Sequence, residues 1–259
     1  MRSDWAELPV GARDAVLERT GPVAEVQDVP HGITCSFAAV LSTAAVRVFV
    51  KGVPVGDERG RAAQAWEVAV NPLVLQAGPR LLWQLEAEGW DLLGFEWVNG
   101  RHADLSPGSL HLPLVAAALG AAQGVVAPAE VPQFVDRDLA EFVTAEEREL
   151  LLGDALLHTD TNPHNLLVDA GRAWLVDWAM PARGPAWVDV AEAAVRLLEA
   201  GCRTDEALAW AAGFESWRSA DRAAVEVFVG ATCRAWAARV GTRGARPSNA
   251  RFEALLTAG

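Results

Sequence analysis

Asp160 and Asn165 stand five residues apart in LLHTDTNPHNLLV, residues 156–168, with His158 just before the acid. Apolar runs close this stretch on both sides, so groups that normally stay in water are held between strand-like segments. A second acid, Asp177, follows Asn165 by twelve residues at the end of AWLVDW. Far upstream, Lys51 ends the run AVRVFVKGV, and Glu67 lies in the helical pattern after it. These residue types suit phosphoryl transfer, where a protein mainly positions groups and neutralises charge. Mg²⁺ takes hard oxygen ligands and keeps some water, so one Asp, one Asn carbonyl and phosphate oxygens suit it. A further carboxylate must orient the attacking hydroxyl and accept its proton. A lysine must hold the phosphates, and a glutamate must hold the lysine.

Lys51 stands out for another reason. Of 22 Lys and Arg side chains it is the one lysine. A chain that otherwise uses Arg for every cation keeps here a compact charge with three rotatable donors in place of a planar fork.

The elements that must position these groups follow from periodicity and punctuation. Residues 5 to 20 read as a short helix ended by TGP. Strands follow in VAEVQDVPHG, SFAAVLST and AVRVFVKGV, with HGITCS as the turn between the first two. DERGRAAQAWEVAVNPLVLQAG reads as a helix stopping near Pro72, and RLLWQLEAEG and WDLLGFEWV as two more strands joined at Glu88-Gly89. After the Pro/Gly-rich NGRHADLSPGSLHLP, helices dominate: 113–123, 137–153, 188–200, 204–217 and 220–240. The hairpin NLLVD and AWLVDW interrupts them, turning at Ala170-Gly171. The expected fold class is α+β and two-lobed: a strand-rich, nucleotide-binding lobe over 1–98 and a mainly helical lobe over 99–259, with a ligand cleft between them.

On these residues the sequence resembles the aminoglycoside phosphotransferase family, within the protein-kinase-like fold. LLHTDTNPHNLLV resembles the family's catalytic loop, H-x-D-x-x-x-x-N, and LVDW its version of the kinase D-F-G. WVDVA, with Asp189, resembles the acid at the start of the following helix. VFVKG resembles the third-strand lysine, AWEVAV the helix glutamate and LLGFEWVNGR the fifth strand and hinge. The likeness runs from about residue 22 to 200. It implies Asp160 as catalytic base, Asn165 and Asp177 as Mg²⁺ ligands, and Lys51 as phosphate anchor with Glu67 as its partner. The hinge backbone from Glu96 to Val98 meets the adenine edge on this reading. Gly32, Thr34 and Ser36 supply the phosphate-covering turn, which has one glycine in place of a G-x-G-x-x-G. The implied cofactors are ATP, or GTP, and Mg²⁺.

Other side chains take plainer readings. His158 braces its loop, and Asp189 caps its helix while tying the loop down. Trp174, Trp178 and Trp187 are core residues. His31, His102 and His111 have no evident partner. Within the loop, Asn162 and His164 depart from the family's usual His and Gly. Glu58 lies on the same helix as Glu67 and is the alternative partner; distance along the helix from Lys51 favours Glu67.

Composition narrows the class. A net charge of −12 argues against nucleic acid as the main partner. Cys35, Cys202 and Cys233 are far apart and form no CxxC pair, which argues against a disulfide framework or thiolate zinc and for the cytoplasm. The N-terminus does not read as a signal peptide. The tract from Leu112, LPLVAAALGAAQGVVAPA, is too broken to span a bilayer. Residues 129–154 hold eight Asp or Glu against Arg137 and Arg148, a run that suits a cationic acceptor if it lines the site. Residues 227–252 hold five arginines and no carboxylate.

Only eleven residues separate Asp177 from Asp189, too few for an activation segment that docks a peptide. The expected function is therefore transfer of the γ-phosphoryl group of ATP to a hydroxyl of a small molecule, such as an amino-sugar antibiotic, with antibiotic resistance as its setting. The alternative is a nucleotide-binding pseudokinase acting through partner contacts. Oligomeric state is not legible.

Overall fold

The computed structural model describes residues 3–29, 35–169 and 171–257. Two compact units emerge. One comprises Met1–Asn99 with Val176–Met180, the other Gly100–Leu175 with Pro181–Gly259. The class is α+β, as expected.

The first unit opens with a 3₁₀ turn at Trp5–Glu7 and helix α1, Val10–Thr20. A single helix over 5–20 was the expectation. Pro9 divides it, because proline has no N–H to continue the ladder. Five strands follow: β1 (Val23–Asp28), β2 (Phe37–Thr43), β3 (Arg47–Pro54), β4 (Leu81–Ala87) and β5 (Trp90–Glu96). They form an antiparallel sheet in the order β1-β2-β3-β5-β4. Alternation assigns its faces. Phe37, Ala39 and Leu41 of β2, with Val48 and Val50 of β3, pack under Leu8, Ala12 and Val16. Phe49, Lys51 and Val53 therefore point the other way, toward helix α2, Glu58–Val70.

Helix α2 is seated by polar contacts. Asp57 caps it by accepting the Gly60 N–H at 2.9 Å. A Cβ on Gly60 would lie 2.8 Å from Val53 Cγ1, so glycine lets the first turn approach β3. Gly60, Gln64, Glu67 and Asn71 then recur at helical spacing, all buried. Gln64 Nε2 donates to Asp91 Oδ2 at 2.9 Å and to its carbonyl at 3.1 Å. Asn71 donates to the Pro79 carbonyl and accepts the Leu81 N–H, both at 2.8 Å.

The second unit contains β6 (Arg101–His102), α3 (Leu112–Gln123), α4 (Ala145–Leu150), β7 (Ala155–Leu157), β8 (Leu166–Val168), β9 (Ala173–Leu175) and β10 (Ala182–Gly184). Helices α5 (Trp187–Glu199), α6 (Thr204–Ala211), α7 (Glu215–Arg218), α8 (Arg222–Val240) and α9 (Thr242–Ala254) complete it. Strands β6, β8 and β9 form one small antiparallel sheet, and β7 pairs with β10.

Two further helical expectations are corrected, and one helix is additional to those expected. Residues 137–153 are no single helix: a wide π turn, Val135–Leu139, passes to a 3₁₀ turn, Ala140–Phe142, and α4 starts afresh at the Thr144 cap. The 204–217 helix breaks at Gly213, giving α6 and α7. Helix α9 was unforeseen. It turns back on α8 at Gly241, whose φ of 81° is in the left-handed region, and it carries Pro247 within.

Among the described residues no helix is long and apolar enough to cross a membrane. The three cysteines are free thiols.

Phe228 of α8 is fully buried, with ring centroids 5.4 Å from Trp187, 6.0 Å from Phe134 and 6.0 Å from Phe252. Phe228→Ala should cost about 3–5 kcal/mol by loss of transfer energy and cavity formation. Denaturant unfolding of the two proteins measures the difference.

Candidate active site

Lys51 is 4% exposed, on the α2-facing side of β3. Its ammonium contacts Glu67 Oε2 at 2.5 Å and Asp177 Oδ1 at 2.7 Å. Asp177 reaches it because Val176–Met180, though late in the chain, belongs to the first unit. The backbone of Asp177 is left-handed, with φ of 65°. Glu67 lies on the buried stripe of α2, whereas Glu58 in the first turn is exposed. Burial alone would pull the Lys51 pKa down; the Asp177 and Glu67 carboxylates outweigh it and raise it above the ordinary lysine value. Burial pushes Glu67 up to about 7, against the pull of Lys51. Phe95 lies beneath the ammonium, 5.9 Å from ring centre to nitrogen.

Nearby candidates divide. Ser36 has its backbone engaged on both sides, donating to the Gly52 carbonyl at 3.0 Å and accepting from Ser3 N–H at 2.8 Å, so its hydroxyl is what it can offer. Gly32, Thr34 and His31 lie outside the described residues. At the hinge, the Glu96 N–H donates to the Arg80 carbonyl at 2.9 Å. Val98 is buried, and among the described residues its backbone N–H and C=O have no hydrogen-bond partner.

In the second unit the catalytic-loop candidate is bound to itself. Asp160 is exposed. Its Oδ1 accepts the Asn162 N–H at 3.3 Å and its Oδ2 accepts from Asn165 Nδ2 at 2.9 Å. Asn165 Nδ2 also donates to the Asp160 carbonyl at 3.2 Å. Both partners are acceptors, so the NH₂ must face them. That leaves Asn165 Oδ1 as a hard oxygen of the type Mg²⁺ takes. Among the described residues no group of three or more His, Cys, Asp or Glu is gathered for a metal. Asn165 offers an amide oxygen and Asp177 a carboxylate, each a donor of the hard type Mg²⁺ takes.

Buried groups brace the loop. His158 Nδ1 accepts the Asp160 N–H at 3.3 Å, so the imidazole is a support, as expected. Asp189 is 2% exposed and accepts the N–H groups of His158 and Thr159 at 2.8 and 2.9 Å. It therefore ties down the loop, but it does not cap α5: the cap position is Ala186, with no side-chain bond. Burial raises the Asp189 pKa, opposed by those backbone donors. Trp178 and Trp187 are core residues, whereas Trp174 is half-buried beneath the Arg172 guanidinium at 3.7 Å.

Other histidines acquire partners. His111 accepts the Asp104 N–H at 2.9 Å, and His102 meets His164 edge-on at 5.0 Å between centroids. Two residues escaped sequence reasoning. Arg137 donates to Thr159 Oγ1 at 2.9 Å, beside Asp160. Glu192, one turn beyond Asp189 on α5, is half-buried without a hydrogen-bond or ion-pair partner among the described residues. Burial, with the Asp189, Asp138 and Asp160 carboxylates, pushes its pKa well up against the pull of Arg196.

Residues 126–228 match the model of the phosphotransferase enzyme family. The resemblance to the aminoglycoside phosphotransferases holds. In shape the chain is similar to choline kinase LicA from Streptococcus pneumoniae: TM-score 0.63, 13% identity, 92% of this chain and 97% of that one. Spectinomycin phosphotransferase APH(9)-Ia, in complex with ADP and spectinomycin, aligns at TM-score 0.61 and 10% identity over 93% of this chain and 92% of its own. A thermostable mutant of aminoglycoside phosphotransferase APH(4)-Ia aligns at 0.60 and 14%, over 94% and 97%. At such identities the phosphotransferase likeness establishes the fold. Among curated proteins none matches the sequence.

A carboxyl whose pKa is raised by folding lowers stability as pH climbs, because the unfolded chain ionises first. For Glu192 the penalty is absent below about pH 4, the ordinary carboxylate range, and grows above it. Glu192→Gln should therefore raise Tm by about 1–3 °C at pH 8 and leave it unchanged near pH 4, read by thermal unfolding across that range.

Proposed function

We propose that the protein is a Mg·ATP-dependent phosphotransferase that moves the γ-phosphoryl group onto a hydroxyl of a small molecule. The observation that carries this reading is the one lysine of the chain, buried against two carboxylates from distant positions, Glu67 and Asp177. A buried ion triad contributes little net stability, since hydrophobic replacements often do as well. A fixed ammonium is, however, what phosphate oxygens require.

In this reading Lys51 holds the α- and β-phosphates and Glu67 holds Lys51. Val98 offers its free N–H to the adenine edge, or to guanine, and Glu96 its carbonyl. The Ser36 hydroxyl meets the phosphates, and Gly32 and Thr34 are proposed for the same role. Asn165 Oδ1 and Asp177 bind Mg²⁺, which when bound neutralises phosphate charge. Asp160 accepts the proton of the acceptor hydroxyl: its carboxylate is exposed, yet oriented by Asn162 and Asn165.

The acceptor class is a cationic small molecule such as an amino-sugar, met in the cytoplasm, with antibiotic resistance as the setting. Acidic side chains support this, though several already have partners. Asp136 pairs with Arg148, Asp138 with Arg137, and Glu147 completes the α4 capping box. Glu192, unpartnered beside the loop, is the carboxylate a cation would relieve most.

Purified protein should turn over Mg·ATP when given a panel of amino-sugars, nucleosides and amino alcohols, with a phosphorylated product seen by mass spectrometry. Asp160→Asn should lower kcat about 10²–10⁴-fold with little change in KM for ATP. Unchanged turnover removes Asp160 from this role. Nucleotide binding without transfer to any acceptor favours a pseudokinase.

A further inference from the structure

Thr159, immediately before Asp160, has φ of 63°. A β-branched side chain in the left-handed region is strained, and it persists only where its surroundings hold it. Glycine would adopt this backbone freely. What holds threonine there is visible. Asp189 takes the N–H of Thr159 and that of His158 on its two oxygens, at 2.9 and 2.8 Å. Arg137 Nη2 takes the side chain, donating to Thr159 Oγ1 at 2.9 Å.

The guanidinium is itself fixed. Asp138 grips it by two bonds, Nε to Oδ1 at 2.8 Å and Nη2 to Oδ2 at 2.5 Å, and Nη1 donates to the Pro181 carbonyl at 3.0 Å. Such a planar fork meets the carboxylate with two parallel bonds and still reaches two further acceptors, a geometry that the point charge of a lysine does not reproduce. Arg137 sits in the wide π turn, Val135–Leu139, the kind of irregularity often found at functional sites.

Resting on the reading of Asp160 as the base, we propose that Arg137 is a positioning residue. With Asp189 it locks Thr159 in the left-handed conformation, and that lock sets the direction from which the Asp160 carboxylate leaves the chain. If Thr159 relaxed to an ordinary backbone angle, the peptide plane between it and Asp160 would rotate. The bond from the Asp160 N–H, which lies in that plane, to His158 Nδ1 would be lost with it. Arg137 thus acts through Thr159 without touching any reacting group.

Glycine rescue tests the proposal. Arg137→Gln, Thr159→Gly and the double variant are compared by kcat and KM for Mg·ATP hydrolysis, with water as acceptor, and by Tm. Arg137→Gln should lower kcat about tenfold while KM stays within about twofold, since the strain then drives Thr159 out of place. The double variant should return kcat to within about threefold of Thr159→Gly alone and recover most of the lost Tm, because glycine needs no clamp. Wild-type kcat in Arg137→Gln, or a double variant no better than Arg137→Gln, overturns the proposal. Should Arg137→Gln fail to fold, Arg137→Lys serves in the same comparison, with the same expected rescue. If the wild type hydrolyses no ATP, the phosphotransferase reading fails by itself. The Tm arm then still decides the clamp: rescue by glycine upholds it, and absence of rescue rejects it.

Discussion

The buried Lys51 ammonium governs the rest of the first unit. Removing a charge from water costs several kcal/mol even after relaxation, and only close, well-held partners offset it. Glu67 at 2.5 Å and Asp177 at 2.7 Å are those partners, so whatever carries them must be held still. Helix α2 is held by its cap, by the close approach at Gly60 and by the polar stripe of Gln64 and Asn71. The segment Val176–Met180 joins this unit although its chain neighbours on either side do not. On this face of the sheet polar contacts are set among buried apolar residues such as Val53 and Leu93, whereas the opposite face is an apolar core under α1.

The second unit solves a related problem differently. Its reactive candidate, Asp160, stays exposed, and the buried groups lie behind it. Asp189 and His158 satisfy the loop's backbone from within, while Asn165 turns its NH₂ to Asp160 and keeps its oxygen outward-available. An exposed carboxylate on a braced backbone can stay open to solvent without losing its direction. The buried carboxyl of Asp189 cannot, and its raised pKa reflects that burial.

Much of this was legible in the sequence where periodicity and chemistry agree. The five strands, α2 and the β8–β9 hairpin fall where alternation and turn residues indicate. Glu67 was separable from Glu58 because two helical turns divide them. Less legible were elements held by tertiary contacts. Residues 137–153 carry a helical composition, but Arg137 and Asp138 bond to each other and across the chain, and Thr144 restarts the helix. Helix α9 has almost no apolar stripe, only Ala245 and Phe252 buried, and a proline within it, so its packing on α8 overrides local preference. The part played by Asp189 shows a subtler limit. An acid in the first turn of a helix reads as a cap, and only the fold reveals that the donors it serves belong to another segment. The strain at Thr159 has no sequence signature beyond a β-branched residue standing before the acid.

Calorimetric titration of Mg·ADP into the wild-type protein and into Lys51→Met tests the central claim most directly. A lysine buried to hold phosphate should give saturable binding in the wild type and at least about tenfold weaker binding in the variant, a loss of roughly 1.4 kcal/mol or more. Equal affinity in the two proteins, or no binding by the wild type, would contradict it.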